Sequence, residues 1–261
     1  MRLRQVAIMT RQIAPVAGQL EYVFGLKVAF RDPGVGYFGL ANVVMPAGGE
    51  FIEVLEPIRE DASGARYLER RGGDAGYMVI LQDDDALAHR ARLEAMGVRV
   101  VARSRDEHYR YTHFHPADTA AVLMSLDSVV GDGSNENGDW REPFSDWPPA
   151  GEQWRDYESD VTLGMTAVTI QHRDPAAAAA RWAQLLDKVA LADGDAWEVA
   201  LDGEAIRFVD PVDDDGTGVV GIELVVDDVD GVLERAEAIG VATTDGGVKI
   251  GGVTFTPVSG E

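Results

Sequence analysis

The order of predicted secondary-structure elements repeats along this chain, and the repeat restricts the possible folds more than any other feature. Residues 3–9 are apolar and strand-like, and residues 12–24 carry apolar side chains at helical spacing before Gly25. Three further strand candidates follow, separated by turns rich in proline and glycine: 27–31, 36–44 and 50–56. The first 57 residues therefore predict a β-α-β-β-β unit.

The same order begins three more times. Each of three strand-like segments precedes a segment of helical spacing: 76–82 before 84–96, 165–170 before 174–187, and 219–226 before 228–239. Units one and three also close on similar sequences, at 49–57 and 203–211. One such unit cannot bury the face of its own sheet, whereas two side by side can form a curled sheet around a cup. The sequence therefore predicts an α+β fold in which four βαβββ modules pair into two curled-sheet domains.

The repeat also predicts where the chain divides. The predicted parts are a first domain at 1–128 (modules 1–57 and 73–128), a tryptophan-rich linker or lid at 129–162, and a shorter second domain at 163–261 (modules 163–211 and 216–261). The linker holds three of the five tryptophans, Trp140, Trp147 and Trp154. Aromatic side chains in a loop must be buried somewhere, so they either staple the two halves together or form a lid over a cup.

Composition restricts the partners of this protein. The formal net charge of −22 repels nucleic acid and anionic membranes, and no apolar run is long enough for a membrane helix. Because the chain has no cysteine, disulfides and thiolate metal sites are excluded. Because the first residues enter a strand pattern directly, we expect no signal peptide. We therefore expect a cytoplasmic monomer or homodimer whose partner is a small molecule, with no nucleic acid and no membrane.

Four segments of the first half, taken in order, carry a resemblance to a known family. They are Gln5-Val6-Ala7-Ile8 and the segments 51–57, 67–79 and 121–126. By these segments the chain resembles the vicinal oxygen chelate superfamily of glyoxalases, bleomycin resistance proteins and extradiol ring-cleaving dioxygenases. The segment 67–79 is similar to methylmalonyl-CoA epimerases in particular. The resemblance implies that the matched strand faces line a cup and bind a divalent metal through histidine and glutamate ligands.

At the positions matched to those ligands, this chain carries mostly other residues. Gln5 and Met78 replace histidines, Ser125 replaces a glutamate, and Glu53 keeps a carboxylate. Methionine and serine are poor ligands for hard divalent ions. The approximate counterparts in the second half are Thr166, Arg207, Gly221 and Thr256. We therefore predict a degraded site that holds no metal and no other cofactor.

Glu53 is the main candidate for catalysis. A carboxyl on the inner face of an apolar cup has its pKa raised by desolvation, which makes it a general base near neutral pH. The alternative is a structural role, in which Glu53 pairs with an arginine or bonds to Gln5. His113 and His115 alternate with Phe114, so both are expected on one sheet face, assisting catalysis. They could instead form a hydrogen-bonding pair at a strand end, or a novel metal site with Glu53.

Two functions follow from these residues with nearly equal support. The first is a metal-independent isomerase or lyase that acts on a small apolar or aromatic molecule with Glu53 as base. The second is non-catalytic sequestration of such a molecule. A metal-dependent ring-cleaving dioxygenase ranks third, because the second half lacks suitable ligands. The expected ligand contacts are Gln5, Tyr77, Met78, Ser125, Trp147 and Trp154.

Overall fold

Two curled, open sheets with a few helices form the architecture of this chain. The computed structural model describes residues 1–104, 106–129, 145–214, 216–244 and 246–260. The predicted α+β class with two curled sheets is confirmed. Trp140 of the predicted linker lies outside the described residues, and the division of the chain at residues 128 and 163 stays a prediction. None of the helices in the described ranges is long and apolar enough to cross a membrane.

The first sheet has seven strands in the order β2-β3-β1-β4-β7-β6-β5. Its strands are β1 (Arg2–Met9), β2 (Leu40–Ala47), β3 (Glu50–Pro57), β4 (Ala75–Gln82), β5 (Val100–Arg103), β6 (Tyr109–Phe114) and β7 (Leu123–Val129). Its helices are α1 (Ile13–Phe24), α2 (Ser63–Arg71) and α3 (Ala86–Ala95). In the centre, β1 runs parallel to β3 and antiparallel to β4, so the first strands of two modules pair directly.

The second sheet has eight strands in the order β13-β14-β15-β12-β8-β11-β10-β9. Its strands are β8 (Thr162–Gln171), β9 (Ala190–Asp193), β10 (Ala196–Ala200), β11 (Ala205–Val209), β12 (Gly218–Val226), β13 (Thr243–Thr244), β14 (Gly247–Ile250) and β15 (Val253–Ser259). Its helices are α4 (Pro175–Leu186) and α5 (Val229–Ala238). The central pairing repeats that of the first sheet, because β8 is parallel to β11 and antiparallel to β12.

The first module departs from the predicted β-α-β-β-β order. Instead of a strand at 27–31, the structure has a single bridge between Phe30 and Val44. A 3₁₀ helix, Pro33–Phe38, occupies the start of the predicted strand at 36–44, and the Asp32 carboxylate caps it by accepting the Gly34 N–H at 2.7 Å. The proline and the cap favour a helical turn over an extended chain. The polar stretch at 58–74 also contains an unpredicted helix, α2.

One hydrophobic core joins the two sheets. Val6 and Ile8 of β1 belong to the same buried cluster as Val168 and Ile170 of β8, together with residues of α1, α4 and α5. The backbones approach closely at one glycine between the sheets. A Cβ on Gly252 would lie 1.8 Å from the Asp74 carbonyl oxygen, so only glycine fits. The inner face of the first sheet is therefore left for a second, separate cluster.

Candidate functional site

An irregularity in β1 decides which of its side chains reach the inner face of the first sheet. The β1–β4 register shifts between Leu3 and Gln5, and Arg4 lies at that shift. Leu3 packs in the core between the sheets, whereas the Arg4 guanidinium lies over the Phe51 ring at 5.2 Å and Gln5 lines the inner cavity. Strict alternation along β1 would put Leu3 and Gln5 on one face, but alternation does not continue through a bulge.

The inner face encloses a cavity of about 230 Å³. The strand order puts β3 and β6 on opposite sides of β1, β4 and β7, and the curl of the sheet brings them face to face. The ring centroids of Phe38 and His113 lie 5.9 Å apart, which joins the two sides near the 3₁₀ helix. Trp147 also joins the two sides, because its ring lies 6.4 Å from Phe51 on β3 and 5.5 Å from Tyr109 on β6.

Glu53 lines this cavity with a carboxyl that receives two side-chain amides. Asn42 Nδ2 donates to Oε1 at 2.6 Å, and Gln5 Nε2 donates to Oε2 at 2.8 Å. Burial raises the pKa of Glu53 to about 7, although both amide bonds act in the opposite direction. The predicted hydrogen bond to Gln5 is present. It is compatible with a role as base, because half of a group with this pKa is ionised at neutral pH.

The structure separates the two histidines. His113 lines the cavity, and burial lowers the pKa of its imidazole to about 4, so the ring is neutral at pH 7. His115 follows the end of β6 and caps the 3₁₀ helix Pro116–Asp118, where its Nδ1 accepts the Ala117 N–H at 3.2 Å. His115 is not among the cavity-lining residues, and the shared face was wrong because the strand ends at Phe114.

A buried carboxyl that the sequence reasoning did not select lies beside the cavity. The Tyr109 hydroxyl and the Ser125 hydroxyl both donate to Asp127, and Ser125 also reaches the Thr112 carbonyl at 3.2 Å. Burial raises the pKa of Asp127 to about 7. Ser125 therefore faces Asp127 and does not line the cavity. The signal was available, since Asp127 is a charged residue two positions after Ser125 in a strand that is buried along most of its length.

The predicted ligand contacts divide into lining residues and supporting residues. Gln5, Tyr77 and Met78 line the cavity. Trp147 donates its indole N–H to Gln5 Oε1 at 2.8 Å, and Trp154 packs edge-on against Phe51 at 5.0 Å. Both tryptophans are 1% exposed and are not among the cavity-lining residues, so they form a buried aromatic plug packed against Phe51, beside the cavity. The other lining residues, which the sequence reasoning missed, include Asp32, Val35, Phe38, Tyr109, Tyr111 and Pro149.

The residues at the family's ligand positions do not fit a metal ion. Both polar ends of Gln5 are engaged, by Trp147 and by Glu53, and the Ser125 hydroxyl is turned to Asp127. Met78 offers only a thioether, which suits soft ions. Over the residues that the structure describes, no group of three or more histidine and carboxylate side chains is arranged to hold a metal.

The second sheet has a cation among its family positions. Arg207 Nη1 donates to Glu223 at 2.8 Å and its Nε to Glu198 at 3.2 Å, while Thr166 Oγ1 donates to Glu223 at 2.7 Å. A guanidinium held between two carboxylates repels a divalent cation and occupies carboxylate oxygens that would otherwise be available to bind it. The second sheet therefore offers no fit for the ion either.

Comparison with known proteins agrees with this architecture. The sequence model described as "Glyoxalase-like domain" matches residues 6–186. The chain is 26% identical over 132 residues to an ethylmalonyl-CoA/methylmalonyl-CoA epimerase of Cereibacter sphaeroides, which covers 49% of this chain and 98% of the relative.

Two solved structures are similar to this chain to different extents. A mutant 4-hydroxymandelate synthase from Streptomyces coelicolor superposes with a TM-score of 0.65 and 18% identity, over 94% of this chain and 77% of that chain. Methylmalonyl-CoA epimerase from Mycobacterium tuberculosis matches with a TM-score of 0.45 and 22% identity, over 49% of this chain and 87% of that chain. The chain belongs to the glyoxalase-like domain family.

Proposed function

We propose that this protein binds a small apolar or aromatic molecule in the cavity of the first sheet and removes a proton from it with Glu53, without the family's metal. The observation that carries the proposal is a carboxyl that lines an apolar cavity, has a pKa of about 7 and is held by two amides. A base with this pKa combines a large ionised fraction at neutral pH with useful proton affinity.

The chemistry that this arrangement supports is removal of a proton from carbon beside a carbonyl. Glu53 takes the proton, and the C–H electron pair moves into the bond toward the carbonyl oxygen. His113 and Tyr111 line the opposite wall, and the neutral imidazole and the phenol are both hydrogen-bond donors for that oxygen. Return of the proton to carbon completes an isomerisation, and loss of a neighbouring leaving group completes a lyase reaction.

Between these two reactions, the curated relative supports an isomerase, because its name is that of an epimerase. That relative is named for CoA esters, and the cavity of about 230 Å³ here suits the reacting part of a molecule of moderate size. We keep a small apolar or aromatic molecule as the substrate class, in view of the aromatic side chains Phe38, Tyr109 and Tyr111 in the walls.

Sequestration without catalysis is the second candidate, since the same enclosed aromatic walls and a hydrogen-bonding carboxyl suit simple capture of a ligand. Glu53→Gln separates the two. With an uncharged aromatic ketone such as phenylacetone as the probe, binding is followed by quenching of tryptophan fluorescence. Exchange of its α protons in D₂O is then followed by NMR. The base role predicts that E53Q lowers protein-dependent exchange about 10²-fold or more while affinity changes little.

Two results would decide against the base. A ketone that binds wild type and E53Q equally, with the same exchange in both, would favour sequestration. Exchange that disappears on treatment with a chelator and returns with added metal would contradict the metal-free part of the proposal.

A further inference from the structure

Hydrogen bonds join three buried side chains in a row, from Trp147 of the plug through Gln5 to Glu53. The Trp147 indole N–H donates to Gln5 Oε1 at 2.8 Å, and Gln5 Nε2 donates to Glu53 Oε2 at 2.8 Å. Their exposed fractions are 1%, 2% and 6% for Trp147, Gln5 and Glu53, so water does not compete for these bonds. Trp147 stands 142 residues from Gln5 along the chain, and only the fold brings them together.

The direction of these bonds is set by Trp147. An indole nitrogen can only donate, whereas a carboxamide can present either its oxygen or its nitrogen to a neighbour. The indole therefore holds the oxygen of Gln5, and the NH₂ group must point to Glu53. Turned the other way, the amide would place its oxygen against a carboxylate and its NH₂ against the indole N–H, with both contacts repulsive.

The second amide on Glu53 is oriented in the same way. Asn42 Oδ1 accepts the backbone N–H of Asp32 at 2.8 Å, which leaves Nδ2 to donate to Glu53 at 2.6 Å. Asp32 caps the 3₁₀ helix at the cavity wall, and Trp147 belongs to the plug. Each oxygen of the carboxyl thus receives an N–H whose direction is set by a segment outside the strands that form the cavity floor.

We infer that Trp147 is a positioning residue: its indole orients the Gln5 amide so that Glu53 is held as an oriented proton acceptor whenever the plug is seated. This inference rests on the proposed role of Glu53 as base. It assigns the plug a part in the reaction beyond excluding water. A displaced plug would release the amide, and the carboxyl would lose one of its two hydrogen bonds.

The test compares Trp147→Phe with Trp154→Phe. Both variants replace a fully buried indole that packs on Phe51 and Arg4. Among the described residues, however, the side-chain amide of Gln5 bonds to Trp147 and Glu53 and not to Trp154. The pKa of Glu53 is measured without any ligand, from the ¹³C shifts of protein labelled at glutamate carboxyls, with E53Q to assign the signal. W147F should raise the pKa of Glu53 by about 1, since hydrogen bonds to the ionised form lower it, and W154F should leave it unchanged.

Gln5→Met provides a second arm. It should raise the pKa of Glu53 as W147F does, and adding W147F to it should have no further effect, because both changes break the same connection. If W147F does not fold, the test is repeated with 3-benzothienylalanine at position 147, which keeps the ring size and replaces the N–H by sulfur.

Equal pKa values in W147F, or its sulfur analogue, and in W154F would overturn the inference. An effect of W147F that persists in full in the Gln5→Met background would do so as well. Failure of the proposed function is distinguishable: E53Q would then keep full proton exchange with phenylacetone, while the pKa of Glu53 would still respond to Trp147.

Discussion

Glu53→Gln has a consequence for folding that needs no ligand to measure. Burial raises the pKa of Glu53 to about 7 in the folded chain, from an ordinary value of 4.5. Between these two pH values the folded protein keeps a proton that the unfolded chain releases. The stability contributed by this group is therefore fully present below pH 4.5 and is lost as the pH rises through 7. Glutamine does not titrate, so E53Q lacks this loss.

The size of the effect follows from the shift in pKa. Each pKa unit corresponds to about 1.4 kcal/mol, so the whole loss is about 3 kcal/mol. The chain has a pI near 4.5, and a protein with little net charge tends to precipitate. The unfolding measurement therefore has a practical lower limit of about pH 5.5. Between that pH and 7, the remaining loss is about 2 kcal/mol. Glu53 is buried, so this figure needs no reduction for solvent screening.

Urea unfolding followed by circular dichroism at about pH 5.5, 7 and 8.5 measures this difference. The free energy of unfolding of wild type, relative to E53Q, should fall by about 2 kcal/mol from the lowest to the highest pH. Burial also raises the pKa values of Asp127 and Glu204 to about 7, but these groups titrate in both proteins and cancel in the difference. A difference that stays constant with pH would refute the reasoning, because Glu53 would then have the same pKa folded and unfolded.

Two further predictions concern stability away from Glu53. Gly252→Ala should cost about 3 kcal/mol or more in urea unfolding, because its Cβ would lie 1.8 Å from the Asp74 carbonyl oxygen. Gly97→Ala, with a similar positive φ but open space around it, should cost only about 1 kcal/mol; equal losses would contradict a packing role for Gly252. Gln82 is fully buried, and neither of its amide atoms has a hydrogen-bond partner in the described part of the chain. Gln82→Met should therefore raise the melting temperature, with a gain of about 1–3 kcal/mol in the free energy of unfolding. A lower free energy of unfolding would indicate an amide that is satisfied by bound water.

The polar surroundings of Glu53 show how far sequence reasoning reached. The family resemblance implied that Glu53 and Met78 face the cavity, and both line it. Alternation alone would put Leu3 on the same face as Gln5, but the bulge at Arg4 changes the alternation within β1. A bulge depends on how two strands pair, and no residue type in β1 predicts it.

Other parts of the site depend on contacts between distant segments. Asn42 was recognisable only as a polar residue in an apolar strand, and its bond to Glu53 depends on the β2–β3 register. Tyr109 and His113 face Glu53 because the sheet curls, which no local pattern encodes. Trp147 was expected in a lid or a staple, and its bond to Gln5 depends on how the plug is seated.

The sequence by itself determined the four-module α+β fold, because periodicity of apolar residues reflects which faces must be buried and repeats with each module. It also located a carboxyl at the centre of the inner face and the absence of the usual ligands around it. Only the tertiary structure decided the pKa of Glu53, since desolvation depends on everything that encloses the carboxyl. The different positions of His113 and His115 were decided there as well, because the strand ends between them: His113 lines the cavity, whereas His115 caps a 3₁₀ helix.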